Sequence, residues 1–304
     1  MKVAVAKYRI DAPRSFAEFA DKQARWLGEA KRAGADLAVL PEYLALELGA
    51  TFGAATQGDL HASLIAIQDY HGAWLELYGL LARELRMHVV AGSFLLDNGQ
   101  GRYRNRSYAF APDGGVLWQD KLQLTGFEKR AGVIEAGDAL RVFAAGDTRA
   151  GIAVCYDIEF PLPVRAQCEA GARLLIAPSC TDTPAGATRV RVGCLARALE
   201  NRCFVAQAVT AGDAAWSPAL DVNTGEATIY APMAVGLPAD GIVATTRGQQ
   251  PWAVAELDFA ALDASREQAQ VANDRDWAGQ GAPGIARATV EEWGDSCERP
   301  LKER

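Results

Sequence analysis

The chain has 304 residues, half of them hydrophobic and 23% charged, a balance that fits one sizeable folded core and excludes disordered, collagen-like and fibrous classes. Its formal charge of -7, without a concentrated block of Lys and Arg, argues against a nucleic-acid partner, because neutralising phosphates needs a clustered basic surface. No apolar run approaches the roughly 18 residues that span a bilayer, and the apolar start is too short for a secretory signal, so a cytoplasmic protein acting on a small molecule is expected.

Val3 to Ala6 reads as a strand and Ser15 to Ala33 as a helix, with Phe16, Phe19, Trp26, Leu27 and Ala30 on one face behind a Ser N-cap. The apolar run from Asp36 to Leu40 is halted by Pro41, which leaves Glu42 just past a strand's carboxyl end, a favoured place for sites in α/β sheets. Leu64, Ile67, Trp74, Leu75, Leu77, Leu81 and Leu85 predict one helix from Leu60 to Arg86, followed by a strand from His88 to Gly92. Two β-like runs, Ser107 to Phe110 and Val116 to Trp118, flank Pro112-Asp113-Gly114-Gly115 and predict an antiparallel hairpin, hence a mixed sheet.

Arg149 to Cys155 is a further apolar run, followed by a helix near Val164 to Ala170, a strand at Leu174 to Ala177 and a helix from Thr188 to Arg202. Phe204 to Val209 and Ala253 to Leu257 read as strands, with a loop-rich stretch holding Pro218, Pro232 and Pro238 between them. After Asp258 the chain turns polar, and from about Asp274 it would either fray or pack on a partner subunit. The expected organisation is one domain over residues 1–260 and a C-terminal extension over 261–304.

Six cysteines, at 155, 168, 180, 194, 203 and 297, stand far apart without a CxxC pair, so neither a zinc site nor a disulfide framework is indicated. His61, His71 and His88 carry no HExxH pattern, and no metal is expected. Cys155 stands out because it ends a buried strand and enters a turn that leads to a helix, the logic of an elbow that exposes a hydrolase nucleophile. Such a thiol needs a base or a cation to become an effective nucleophile, and no histidine falls in a comparable turn. A carboxylate must then act as base. A lysine ammonium can stabilise the oxyanion of a tetrahedral intermediate, together with the backbone N–H of Tyr156.

Three segments carry a resemblance: Pro41-Glu42-Tyr43 after its strand, Lys121-Leu122-Gln123-Leu124-Thr125-Gly126-Phe127-Glu128, and Val154-Cys155-Tyr156-Asp157-Ile158-Glu159-Phe160-Pro161. In this order the chain resembles the nitrilase superfamily of carbon–nitrogen hydrolases, in its amidase-like branch. Ala177-Pro178-Ser179 and Ala196 to Arg202 support it over nearly the whole length. The resemblance implies a four-layer αββα sandwich, often paired into a homodimer near the helix after the elbow and the Arg197–Glu200 region. The C-terminal extension would then sit at the dimer interface. It also implies Glu42 as general base, Lys121 as oxyanion stabiliser, Cys155 as nucleophile, Glu128 as second carboxylate, and no cofactor. Two positions depart from the family pattern: Gly126 replaces its usual Pro, which loosens the turn, and Leu162-Pro163 stand where it often has Glu.

The resemblance implies hydrolysis of a small amide through a thioester, since nitrile-cleaving members typically show Cys-Trp-Glu where this chain has Cys155-Tyr156-Asp157. An N-carbamoyl amidase or a nitrilase is the alternative among enzymes, and a catalytically silent scaffold the alternative outside them. An ammonia-supplying glutaminase module would need an appended synthetase domain, which does not fit within 304 residues. Tyr156, Glu159 and Cys180 are the candidate substrate contacts. Many superfamily members carry Arg where Glu159 stands, and an acid there would favour a neutral or cationic substrate. Pairing of Glu159 with Arg165 is the structural alternative, and plain packing is the alternative for Cys180. Pocket loops are expected around Thr181 to Thr188 and Ala211 to Tyr230.

Overall fold

The computed structural model describes residues 1–282 and 287–290. Strand β1 (Lys2–Arg9) leads into helix α1 (Phe16–Arg32), which the Ser15 hydroxyl caps by accepting the Glu18 N–H, and the chain returns as β2 (Leu37–Leu40). The helix predicted from Leu60 to Arg86 is two, α2 (Leu60–Ile67) and α3 (His71–Glu84), joined by a tight turn at Gln68–Tyr70. The break has a physical reason: Gln68 donates to the Leu64 and Leu95 carbonyls and accepts the Asp97 N–H, tying the helix pair to the sheet.

Strands β3 (His88–Asp97), β4 (Tyr103–Phe110) and β5 (Val116–Asp120) come next, and the predicted hairpin is present with Ala109 opposite Leu117. Helix α4 (Gly126–Ala131) precedes β6 (Val142–Ala145) and β7 (Thr148–Ile152). Then come α5 (Pro161–Glu169), β8 (Leu174–Ser179) and α6 (Pro184–Asn201). Both helices begin earlier than the apolar pattern predicts, because each carries Pro in its first turn, where the missing N–H costs nothing. Strand β9 (Phe204–Asp213) is followed by β10 (Thr228–Tyr230) and β11 (Ile242–Thr245), two short strands inside the stretch predicted to be loop. The last strand is β12 (Trp252–Glu256).

The strands form two faces of one continuous sheet. Along Lys2–Ala6, β1 pairs antiparallel with β12; along Lys7–Arg9 it pairs parallel with β9, and this seam joins the layer β12-β1-β2-β3-β4-β5 to the layer β11-β10-β9-β8-β7-β6. Alternation along β1 and β2 sends Val3, Val5, Leu37 and Val39 into a core shared with Ile152, Leu175 and Val205. Ala4, Ala6, Ala38 and Leu40 face the other way, against Phe19 and Leu27 of α1 and Trp74 of α3. Val164 of α5 and Val190, Cys194 and Ala198 of α6 complete the fourth layer. This is the expected αββα sandwich.

Past Asp258 the described residues go on packing against the sandwich. Asp258 caps helix α7 (Phe259–Gln268), Leu262 is buried, and Phe259 meets the Phe204 ring edge-on at 5.4 Å. Further on, the Asp274 carboxylate lies 3.0 Å from Arg266 and 3.7 Å from Arg202, and the Arg165 guanidinium stands over the Trp277 ring. Residues 291–304, with Cys297, lie outside the described residues. No helix among the described residues is long and apolar enough to cross a membrane.

Candidate active site

Three chain segments bring their ionisable groups to one point, each by a local device. After β2 the backbone must turn inward at Pro41-Glu42-Tyr43. Strand β3 makes room by a register shift between Val90 and Ser93, where Gly92 adopts φ +67° and a Cβ would stand 2.0 Å from the Pro41 carbonyl oxygen. Only glycine fits. The Ser93 hydroxyl then accepts the Tyr43 N–H at 2.8 Å, and Tyr43 itself holds φ +61°.

Lys121 leaves β5 with its N–H on the Asn105 carbonyl at 2.9 Å. Further along the same segment, Thr125 and Glu128 form a reciprocal cap: the Glu128 carboxylate accepts the Thr125 N–H at 2.8 Å and the Thr125 hydroxyl accepts the Glu128 N–H at 3.3 Å. This cap fixes the turn around Gly126, where the expectation from sequence was a loosened one. Cys155 follows β7 in a left-handed conformation, φ +49°, rare for a residue with a side chain and the signature of a strained elbow.

The geometry centres on the Lys121 ammonium. Its Nζ lies 2.8 Å from Glu42 Oε1 and 2.9 Å from Glu128 Oε2. Asn105 Nδ2 donates to Glu42 Oε1 at 2.8 Å and to Glu128 Oε1 at 3.3 Å, and the Tyr43 hydroxyl donates to Glu128 Oε1 at 2.8 Å. The other Glu42 oxygen accepts the Cys180 N–H at 3.1 Å, while the Cys180 carbonyl lies 3.6 Å from Cys155 Sγ. Glu42, Lys121 and Glu128 are all buried, two negative charges against one positive.

Their environments push the two carboxyls apart. Burial raises the Glu42 pKa, with Glu128 adding to the rise against the pull of Lys121. Burial works the same way on Glu128, but the Lys121 ammonium and the Thr125 and Tyr43 donors outweigh it and hold that carboxyl below its usual range. Burial lowers Lys121, yet the two carboxylates more than reverse this and keep it charged. Burial and the Glu42 charge raise the Cys155 thiol pKa, so the thiol rests protonated.

A cavity of about 350 Å³ opens onto this group and is lined by Glu42, Lys121, Cys155, Tyr156, Glu159 and Cys180, with Thr181, Pro218 and Asp221 from the expected loops. Glu128 stands behind Lys121 and does not line it. Glu159 pairs with Arg189 of α6 at 3.5 Å, and not with Arg165, which reaches Glu169 of its own helix at 2.8 Å. The Tyr156 ring packs edge-on against Phe160 at 4.9 Å. Burial pushes the Cys180 thiol up to about 12, and its Sγ lies 3.5 Å from Asn223 Oδ1. Asn105, Arg189 and the Tyr43 hydroxyl are members of this assembly that sequence reasoning missed. Among the described residues no group of three or more His, Cys, Asp or Glu side chains is arranged to hold a metal ion.

Comparison with known proteins adds the family. Residues 2–266 match the family model for carbon-nitrogen hydrolase. The probable hydrolase YhcX of Bacillus subtilis (strain 168) is 28% identical over 277 residues, which cover 91% of this chain and 53% of YhcX, so the chain spans about half the length of that relative. The omega-amidase NIT2-A of Xenopus laevis is 26% identical over 263 residues, 84% of this chain and 88% of that protein. The crystal structure of Saccharomyces cerevisiae Nit3, a member of branch 10 of the nitrilase superfamily, is similar with TM-score 0.72 at 20% identity, covering 90% of this chain and 96% of that one. With a nitrilase-type sandwich in place and the family model matched from β1 into α7, this chain belongs to the carbon–nitrogen hydrolase family.

Proposed function

We propose that the chain hydrolyses a small-molecule amide through a thioester on Cys155, releasing ammonia or an amine and a carboxylic acid. The observation that carries this reading is the Lys121 ammonium held between two carboxylates at the wall of a cavity that also exposes an elbow cysteine. An ammonium has three donors; two are taken by Glu42 and Glu128, which leaves one for a substrate oxygen.

The steps derive from these positions. The Cys155 sulfur attacks the amide carbonyl as its proton passes to Glu42, the carboxyl whose pKa is raised. The oxyanion that forms is met by Lys121 and the Tyr156 N–H. Collapse breaks the carbon–nitrogen bond, and the leaving nitrogen takes the proton from Glu42. A water then loses a proton to Glu42, attacks the thioester and displaces the thiolate, which recovers that proton. Glu128 touches no substrate in this scheme; it holds Lys121 from behind. Relatives named as omega-amidase and as (R)-stereoselective amidase support an amide over a nitrile, and an N-carbamoyl amidase is the second reading within the same chemistry.

We further place the protein in the cytoplasm as a homodimer. Exposed Leu162 on α5 and Val192 and Leu199 on α6 favour that helical face as the interface, a state that size-exclusion chromatography with light scattering would test. The activity itself is tested by ammonia release from a panel of small amides, ω-amides, ureido acids and nitriles, beside Cys155→Ala. Release that depends on Cys155 is expected from amides. No release from any compound, with Cys155 also unlabelled by iodoacetamide, would favour a silent scaffold.

A further inference from the structure

Among the buried acids that take no part in these steps, one stands next to the nucleophile. Asp157, two residues after the nucleophile, is 3% exposed. Its Oδ1 accepts the Gln123 N–H at 2.7 Å, both its oxygens lie 3.1 Å from the Leu122 nitrogen, and its Oδ2 accepts the Val154 N–H at 3.2 Å. Leu122 and Gln123 directly follow Lys121, and Val154 directly precedes Cys155. One carboxylate thus joins the two loops that carry the ammonium and the sulfur.

We propose that Asp157 is a positioning residue for the reaction: its carboxylate binds the lysine loop to the cysteine elbow, sets the separation of Lys121 from Cys155, and does so only while ionised. The proposal rests on the cysteine-dependent hydrolysis assigned to this site. Three N–H groups converge on two oxygens, and a protonated acid would present a donor to donors, so at least one N–H loses its acceptor and the loops are free to part. The charged groups near it are few. Lys121, on the donating loop, draws its pKa down but is itself bound to Glu42 and Glu128. The helix packed on the elbow, α6, presents Gly193 to Ile158, and its Arg189 is turned to Glu159. Burial therefore dominates over the N–H donors and Lys121, and raises the Asp157 pKa to about 7, within the range where an enzyme is assayed.

The test is the pH profile of kcat/KM for wild type and Asp157→Asn, with the rate of Cys155 alkylation by iodoacetamide measured over the same range. In wild type two acids must be ionised, Glu42 and Asp157, so the acid limb of the logarithmic profile approaches a slope of about two. In Asp157→Asn that slope falls to about one, kcat/KM drops by about 100-fold through misplacement, and KM stays within about threefold because Asp157 does not line the cavity. A wild-type slope of one overturns the proposal, and needs no variant that folds. So does a variant whose profile is scaled down with unchanged slope while its thermal stability falls in step, which is the mark of a merely structural residue. Alkylation uses no substrate: if wild type hydrolyses no amide, the proposed hydrolysis fails, while a steep wild-type alkylation profile that flattens in Asp157→Asn still upholds the positioning role.

Discussion

Glu128→Gln asks whether Lys121 must be held from behind. The Glu128 side chain is wholly buried; one oxygen receives Lys121 and the Thr125 N–H and hydroxyl, the other receives Tyr43 and Asn105. Glutamine keeps the shape, but whichever way its amide turns, the NH₂ faces donors. Removing one partner of a buried ion pair costs about 3–5 kcal/mol; because Lys121 keeps Glu42 at 2.8 Å, a loss of stability of about 2–4 kcal/mol is expected. The ammonium would then swing toward Glu42 and away from the forming oxyanion, and the loss of one such donor lowers kcat by about 10²–10³. KM should barely move, since Glu128 does not line the cavity. The Glu128 charge also raises the Glu42 pKa, so its removal shifts the acid limb of the rate profile to lower pH. Steady-state kinetics across pH on the best amide from the panel, with thermal melts, reads all four. A kcat within threefold of wild type would refute the reasoning, and a raised KM at constant kcat would instead make Glu128 a substrate contact.

Three other perturbations draw on the same geometry. Gly92→Ala drives a Cβ into the Pro41 carbonyl and so displaces Glu42; a loss of about 3 kcal/mol or more is expected, with activity falling even where the protein remains folded, checked by melts and turnover on the same sample. Glu159→Gln removes the partner of Arg189 and should raise kcat/KM for anionic amides relative to cationic ones by several-fold; an unchanged ratio in competition assays would remove Glu159 from specificity. Asp157 has its pKa raised from 3.8 to about 7 by burial, so between those values the folded state binds a proton that the unfolded chain does not. Its contribution to stability therefore grows as pH falls through 7, and activity lost there is not unfolding. A melting temperature that drops with activity from pH 7 to 5 in wild type, but not in Asp157→Asn, would contradict this.

What could be read from the sequence was local. Glu42, Lys121 and Cys155 each follow a strand whose apolar run and terminating turn are visible within a few residues, and three such segments in order indicate the fold. The wiring between them is not local. Asn105, which donates to both carboxylates, escapes notice because Asn disfavours strands, so the apolar pattern starts β4 at Ser107 when it begins at Tyr103. The sequence offers Arg165, six residues on, as the Glu159 partner, whereas the fold supplies Arg189 from a helix packed on the elbow. Short strands β10 and β11, of three and four residues, carry too little periodicity to stand out among prolines. Helix α7 is hidden by its polar composition, although Asp258 before Phe259 is an N-cap signal and Leu262 repeats its face three residues on.

The unread wiring also explains how so costly a site persists. Cys155 and Tyr43 both hold left-handed backbone, and Glu42 and Asp157 are buried acids whose pKa values burial has raised, each a departure that would destabilise an isolated segment. None is isolated. The Tyr43 N–H goes to Ser93 and its hydroxyl to Glu128, Glu42 receives Lys121, Asn105 and the Cys180 N–H, and Asp157 receives three backbone donors. Because these bonds link strand ends from both layers of the sheet, relieving the strain at any one residue means giving up bonds at its neighbours. A site over-determined in this way holds Glu42, Lys121 and Cys155 in one arrangement without letting any of them relax, as proton transfer in the proposed hydrolysis would require.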